Sequence, residues 1–310
     1  MKFFSPRGAD LAIVHRFRPA PYGGSNQFLT ALRNELRARG LRVSDGAIGR
    51  GTRACLLHSY LVDADAFRRD LRPGLRIVHR VDGPIALYRG LDDGSDRRIV
   101  EINHSLADAT VFQSQYSLEA HRELGLELRN PVVISNAPDP GVFHPPAMAE
   151  REPLKGRRLR LVATSWSDNP RKGGETIAQL ARTLDHERFE LTFVGRPGVE
   201  LEGATVVPPV SSAALADILR SQDAYVMASR NEACSNALLE ALASGLPALY
   251  VRSGSNAELV GDAGLGFDDA EELPGLLERL PAELESFRAA IRVPRLGDVT
   301  DRYLDVLGLR

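Results

Sequence analysis

The feature that most constrains this chain is a regular alternation of short Val-, Ile- and Leu-rich runs with longer segments of helical period. The runs fall at residues 11–14, 54–57, 76–79, 109–113 and 132–135, then at 159–163, 191–194, 205–207, 224–227 and 248–251. They are continuously apolar rather than alternating, which is what strands of a parallel sheet need when both faces are covered. Between them, Phe28, Leu29, Leu32 and Leu36 share one face of a helix ending near Gly40. Ile177, Leu180, Ala181 and Leu184 likewise share one helical face, as do Leu215, Ile218 and Leu219. Strand–helix alternation of this kind predicts α/β domains with doubly wound parallel sheets. The 310 residues have room for two such domains of roughly 150 residues each. A proline-rich stretch without sustained period, residues 137–158, reads as the linker. The boundary is placed near residue 150, giving domains at 1–150 and 151–310. Sheets of this class bind ligands at the carboxyl ends of their strands.

Several function classes are excluded by what surrounds this pattern. A net charge of −2 argues against non-specific nucleic-acid binding, which needs a basic excess. No apolar run approaches the ~18 residues of a membrane span, and the N-terminus lacks the features of a signal peptide. The only cysteines, Cys55 and Cys234, form neither a disulfide framework nor a zinc pattern, so a cytoplasmic protein with free thiols is expected. Neither G-x-G-x-x-G nor G-x-x-x-x-G-K-[ST] occurs, which disfavours a dehydrogenase or a P-loop NTPase.

The most informative segment is residues 223–253. An apolar strand ends near Ser229, a polar loop carries Glu232, and a helix runs from about Ser235 to Ser244 before Gly245. A helix opening beside strand ends offers free N–H groups and a positive dipole end, a seat for a diphosphate. Ser235 is a good N-cap and Asn236 adds a polar side chain there. Glu240 is unusual among Leu238, Leu239, Ala241 and Leu242. A carboxylate at that place can accept both hydroxyls of a ribose; spacing alone supports equally a solvated glutamate on an amphipathic helix. A second segment, Ser165-Trp166-Ser167-Asp168-Asn169-Pro170-Arg171-Lys172-Gly173, follows a strand. Lys172 stands out because only three of the 39 basic residues are lysine. Gly23 and Gly24, with Tyr22 and Ser25 beside them, allow close backbone approach or simply a tight turn. His79 and Asp82 close the strand at 76–79; His58, His104 and His15 are weaker candidates.

Glu232 and Glu240, with seven residues between them and ALASGLP following, resemble the signature of glycosyltransferase family 4, retaining enzymes of the GT-B fold. The resemblance implies two Rossmann-like domains facing a central cleft, with the last segment, about 298–307, crossing back to the first domain. It implies that Glu240 holds the donor ribose, that Glu232 lies near the donor sugar, and that the amides of Ser235, Asn236 and Ala237 meet the phosphates. Arg171 and Lys172 match the basic pair that offsets the leaving diphosphate, with Ser165 beside them. Gly23 and Gly24 match a loop facing donor phosphates or acceptor. His79 or Asp82 stands where the family meets the transferred sugar, a choice the sequence leaves open. Ala233 and Cys234 depart from the usual glycine and aromatic residue.

The resemblance therefore implies transfer of a sugar from a nucleotide-diphosphate sugar to a hydroxyl of a carbohydrate or glycolipid, with retention. No D-x-D motif stands where a metal-dependent donor site would need it, so no metal or other cofactor is expected. A nucleotide-sugar epimerase or hydrolase, or a silent nucleotide-sugar-binding protein, are the rival readings. The arginines at 68, 69, 72 and 76 allow peripheral contact with an anionic inner membrane face, though Asp63, Asp65 and Asp70 among them favour an ordinary solvated surface.

Overall fold

In the computed structural model, residues 8–18, 23–60, 62–69, 71–147 and 152–310 are described. Tyr22, Asp70, the side chain of Arg69 and the boundary placed near residue 150 lie outside them. The strands are β1 (Leu11–Val14), β2 (Val43–Ser44), β3 (Ala54–His58), β4 (Arg76–Arg80), β5 (Ala109–Phe112), β6 (Pro131–Val133), β7 (Leu159–Ser165), β8 (Phe189–Gly195), β9 (Thr205–Val207), β10 (Ala224–Met227), β11 (Ala248–Val251) and β12 (Gly264–Phe267). The helices are α1 (Gly24–Ala38), α2 (Ala64–Arg69), α3 (Ile85–Arg89), α4 (Ser95–Leu106), α5 (Gln115–Glu123), α6 (Gly174–Thr183), α7 (Ser212–Arg220), α8 (Asn236–Ala243), α9 (Asn256–Val260), α10 (Leu273–Ala290) and α11 (Leu296–Leu307). No described helix is long and apolar enough to cross a membrane.

The chain divides into two units, one built on Ser25–Ala137 with β1 and Pro294–Arg310, the other on Pro138–Val293. The first unit holds a six-stranded sheet in the order β2-β1-β3-β4-β5-β6, every pair parallel. The chain reverses direction between β1 and β3, so their carboxyl ends flank the switch-point crevice where such sheets hold ligands. Alternate strand residues feed opposite faces. Leu11, Ile13, Leu56 and Val78 pack with Phe28, Leu32 and Tyr303, while Ala12, Cys55, Leu57 and Ile77 pack with Ile102 and Leu106. The C-terminal α11 belongs to this unit: Tyr303 is fully buried and its ring lies 5.9 Å from that of Phe28.

The second unit also has six parallel strands, ordered β12-β11-β10-β7-β8-β9. Its reversal falls between β7 and β10. Leu159, Leu161, Ala163 and Phe193 face one core; Val162, Val194, Tyr225 and Met227 face the other. At the amino ends, buried Asp223 accepts from both terminal nitrogens of Arg157 at 2.6 and 2.8 Å and from the Arg160 amide at 2.8 Å. That staple leaves the carboxyl ends of β7 and β10 to carry chemistry.

Candidate functional site

The switch point of the second unit is where β7 and β10 deliver their following loops. After β7, the Asn169 side chain accepts from the Arg171 amide at 2.9 Å and a 3-10 turn spans Pro170–Lys172. Gly173 ends it at φ +77°, and a Cβ there would stand 2.3 Å from the Ala228 carbonyl oxygen. Only glycine lets this loop lie against the end of β10. The two loops are then joined by the Arg230 amide donating to the Arg171 carbonyl at 2.8 Å.

This joint brings Lys172 to Glu232, Nζ to Oε1 at 2.6 Å, with side-chain exposures of 22% and 11%. The Glu232 loop is clamped from behind. The Asn231 amide donates to Ser253 Oγ at 3.0 Å, and the Ser255 amide to the Glu232 carbonyl at 2.9 Å. Buried Asn256 donates to the carbonyls of Ser229 and Val251 at 3.0 and 3.1 Å. Gly254, at φ +64°, has no room for a side chain: a Cβ would meet the Glu232 backbone at 2.5 Å. Residues of the segment after β11 thus hold the Glu232 loop in place.

Beyond Glu232, α8 opens with Ser235 as N-cap, its hydroxyl accepting from the Leu238 amide at 3.3 Å. The amides of Asn236 and Ala237 therefore lie outside the helical ladder at the positive end of the helix dipole. Ser235→Ala is expected to cost about 1 kcal/mol of stability through the lost cap, read as a lowered denaturant midpoint with an unchanged slope. Glu240 lies one turn further, on the same helix face as Asn236. It is buried, and its carboxylate takes no hydrogen bond from a described residue. Burial pushes its carboxyl up to about 8. Tyr225 lies near it, pushed up to about 12 by burial, and shares a 2.9 Å hydrogen bond with the Thr164 hydroxyl. Ser165 is buried and donates to the Ser167 carbonyl at 2.5 Å. The exposed Arg171 side chain has no partner among the described residues. Lys172, Glu232, Ser235, Asn236, Ala237, Glu240, Arg171 and Ser165 thus occupy one edge of one sheet.

Gly23 and Gly24 stand at the start of α1, Gly23 at φ +21°. His79 and Asp82 have different surroundings. His79 is fully buried; its Nε2 meets the Ser59 carbonyl at 2.9 Å and its Nδ1 the Asn103 amide nitrogen at 3.3 Å. Burial holds its pKa down at about 4 despite the Ser59 hydrogen bond. Both ring nitrogens of His79 are thus engaged within the first unit. Asp82 is 30% exposed. Its Oδ1 accepts from Gln113 Nε2 at 2.6 Å and from Ser25 Oγ at 3.4 Å. Burial pushes this carboxyl up, but the His58 ring, the Arg80 guanidinium and those hydrogen bonds more than offset it and hold it below the ordinary carboxylate range. Arg80, Gln113 and Asn136, none of them a candidate site residue from the sequence, complete the cluster. His15 also stands here, its ring centroid 5.1 Å from that of His58, whereas His104 is elsewhere, bonded to the Glu127 carbonyl.

Residues 160–282, the stretch from β7 into α10, match the family described as glycosyl transferases group 1. No curated protein sequence matches the chain. Solved structures do. Sucrose-phosphate synthase from Thermosynechococcus elongatus is 17% identical with a TM-score of 0.71, over 96% of this chain and 94% of that one. Anabaena HepE, solved in complex with UDP, is 15% identical with a TM-score of 0.73, over 96% and 99%. The catalytic domain of starch synthase IV from Arabidopsis thaliana, bound to ADP and acarbose, is 11% identical with a TM-score of 0.69, over 97% and 99%. The fold is GT-B. At these identities the likeness is one of fold, and the matched stretch contains Lys172, Glu232 and Glu240.

Proposed function

We propose that this chain is a retaining, metal-independent glycosyltransferase that moves a sugar from a nucleotide-diphosphate donor to a hydroxyl of a carbohydrate or glycolipid. The observation that carries the proposal is the buried carboxylate of Glu240, without a partner among the described residues, beside the amino end of α8. A buried carboxyl without partners is costly, and the two hydroxyls of a ribose are the partners it lacks. The α8 amides, Arg171 and Lys172 then face the diphosphate, and Glu232 lies toward the sugar. In the transfer, the bond from the sugar's C1 to the diphosphate oxygen breaks and a bond to the acceptor oxygen forms on the same face. The acceptor proton leaves on the departing phosphate. Arg171, Lys172 and the helix end stabilise the charge that develops there. In the first unit, Asp82 is the residue proposed to act on a sugar hydroxyl. The match over residues 160–282 and the nucleotide bound by HepE support this reading.

The test is a thermal-shift panel of UDP-, GDP-, ADP- and dTDP-sugars with and without EDTA, followed by turnover with and without a sugar acceptor. A selective upward shift that survives EDTA is expected, with turnover that depends on acceptor. Free sugar or an epimer formed without acceptor would replace the transferase with a hydrolase or epimerase. Binding without turnover would leave a silent nucleotide-sugar binder.

A further inference from the structure

Beneath Asp82, at the carboxyl ends of β3 and β4, lies a fully buried arginine, Arg80. We infer that Arg80 is a positioning residue that sets the direction of the Gln113 hydrogen bond to Asp82 and the tautomer of His58, leaving the His58 Nε2–H and Asp82 Oδ2 as a matched pair for one sugar hydroxyl. The hydroxyl's identity as a sugar's rests on the proposed transferase; the network does not.

A guanidinium has donors only, so each partner of Arg80 must turn an acceptor toward it. One arm runs from Arg80 Nη2 to Asn136 Oδ1 at 2.8 Å. This leaves Asn136 Nδ2 to donate to Gln113 Oε1 at 3.0 Å, and Gln113 Nε2 to donate to Asp82 Oδ1 at 2.6 Å. The other arm runs from Arg80 Nη1 to His58 Nδ1 at 3.1 Å. A ring nitrogen that accepts carries no proton, so the neutral imidazole holds its hydrogen on Nε2. Nε2 faces Asp82 Oδ2 at 3.8 Å, too long for a direct hydrogen bond. A hydroxyl oxygen bridging them from one side, ~2.8 Å from each, would accept from His58 and donate to Asp82. Asp82 Oδ2 takes no hydrogen bond from a described residue, whereas Oδ1 is filled by Gln113 and Ser25.

Charge works in the same sense as geometry. Arg80 Nη1 lies 3.6 Å from Asp82 Oδ1 and favours the ionised carboxylate. Burial lowers the pKa of His58 and keeps it neutral, with Arg80 adding to that effect and Asp82 opposing it. The other titratable or charged groups around the pair are His15 after β1, His79 on β4, His121 on α5 and Arg33 on α1. Burial lowers the pKa of all three of these histidines. Arg80 itself is held over the Phe28 ring at 5.0 Å.

The direct test is long-range proton–nitrogen correlation of the imidazoles in the full chain at pH 7, with His58 assigned by the signals lost in His58→Gln. A neutral Nε2–H tautomer that does not titrate above pH 5 is expected. An Nδ1–H tautomer or an imidazolium at pH 7 would overturn the inference. The second test is the pH dependence of kcat/KM in Arg80→Gln and Arg80→Lys. The glutamine can turn either way and carries no charge, so the acid limb should move up by about one pH unit or more; the lysine should keep it near the wild-type position. Equal loss at every pH in both variants would make Arg80 merely structural. Absence of turnover with any donor would defeat the transferase reading and leave the tautomer measurement to decide the role of Arg80, including where Arg80→Gln does not fold.

Discussion

Glu240→Gln is expected to make the fold more stable at pH 8 while raising the Kd for the nucleotide-sugar donor by one to two orders of magnitude. The stability half follows from proton linkage. Burial raises the Glu240 carboxyl from 4.5 to about 8 in the folded chain. Below pH 4.5 both folded and unfolded states hold the proton, and the group costs nothing. Between pH 4.5 and about 8 the unfolded state has released the proton and the folded state has kept it. Stability then falls by up to ~1.4 kcal/mol per pH unit as pH rises, and the full penalty stands above pH 8. Glutamine has nearly the same shape and no proton to lose. Allowing for the solvent that still reaches the site, the gain at pH 8 is about 2 kcal/mol, or ~4–8 °C in Tm. At pH 4.5 the two proteins should melt together.

The binding half has the opposite sign. A carboxylate accepting two hydroxyls loses ~1.5–3 kcal/mol when its charge is removed, and each 1.4 kcal/mol is about tenfold in Kd. Because the donor-bound form needs the ionised carboxylate, wild-type binding should release a proton between pH 6 and 8. Calorimetry in two buffers of different ionisation enthalpy reads that release, and the variant should show none. An unchanged donor affinity in Glu240→Gln would remove the ribose assignment. Unchanged Tm with lost binding would show that the carboxylate is already satisfied before donor arrives.

A feature of this chain is legible in its sequence where the signal is local. The two parallel sheets are legible because their strands are continuously apolar, a property of each short segment by itself. β2 escapes because Val43–Ser44 is two residues long. β12 escapes because GLGF carries two glycines, which read as turn residues until Phe267 is seen buried beside β11. Glu240 is visible as a charge among leucines. The Lys172–Glu232 pair is not, since 60 positions separate its members and only the strand order brings them together.

His79 and Arg80 show the same limit from the other side. They are neighbours at a strand end, so their side chains leave on opposite faces: His79 toward Asn103 of α4, Arg80 toward Phe28 of α1. Histidine attracts attention as a chemical residue, while one arginine among 36 does not. The face toward α1 carries His58, Asn136 and the approach to Asp82, and no local pattern distinguishes it from the face toward α4.

Lys172→Ala is expected to lower kcat by about two to three orders of magnitude, the loss seen when one preorganised donor to a developing anion is removed. Donor affinity should change much less, because the ammonium is proposed to act on charge that appears as the diphosphate leaves. The variant should also lose stability, for a separate reason. Lys172 is the cation 2.6 Å from Glu232, and deleting it strands a nearly buried carboxylate, a change that costs up to about 3 kcal/mol. The two effects can be parted by Lys172→Ala combined with Glu232→Gln. The double variant has no stranded charge, so its Tm should recover most of what Lys172→Ala lost. Its kcat should stay low, since the cation facing the leaving group is still missing. Recovery of turnover together with Tm would reduce Lys172 to a counter-ion that shapes the Glu232 loop. Full turnover in Lys172→Ala alone would assign the leaving-group charge elsewhere, with Arg171 and the α8 amides as the groups that remain.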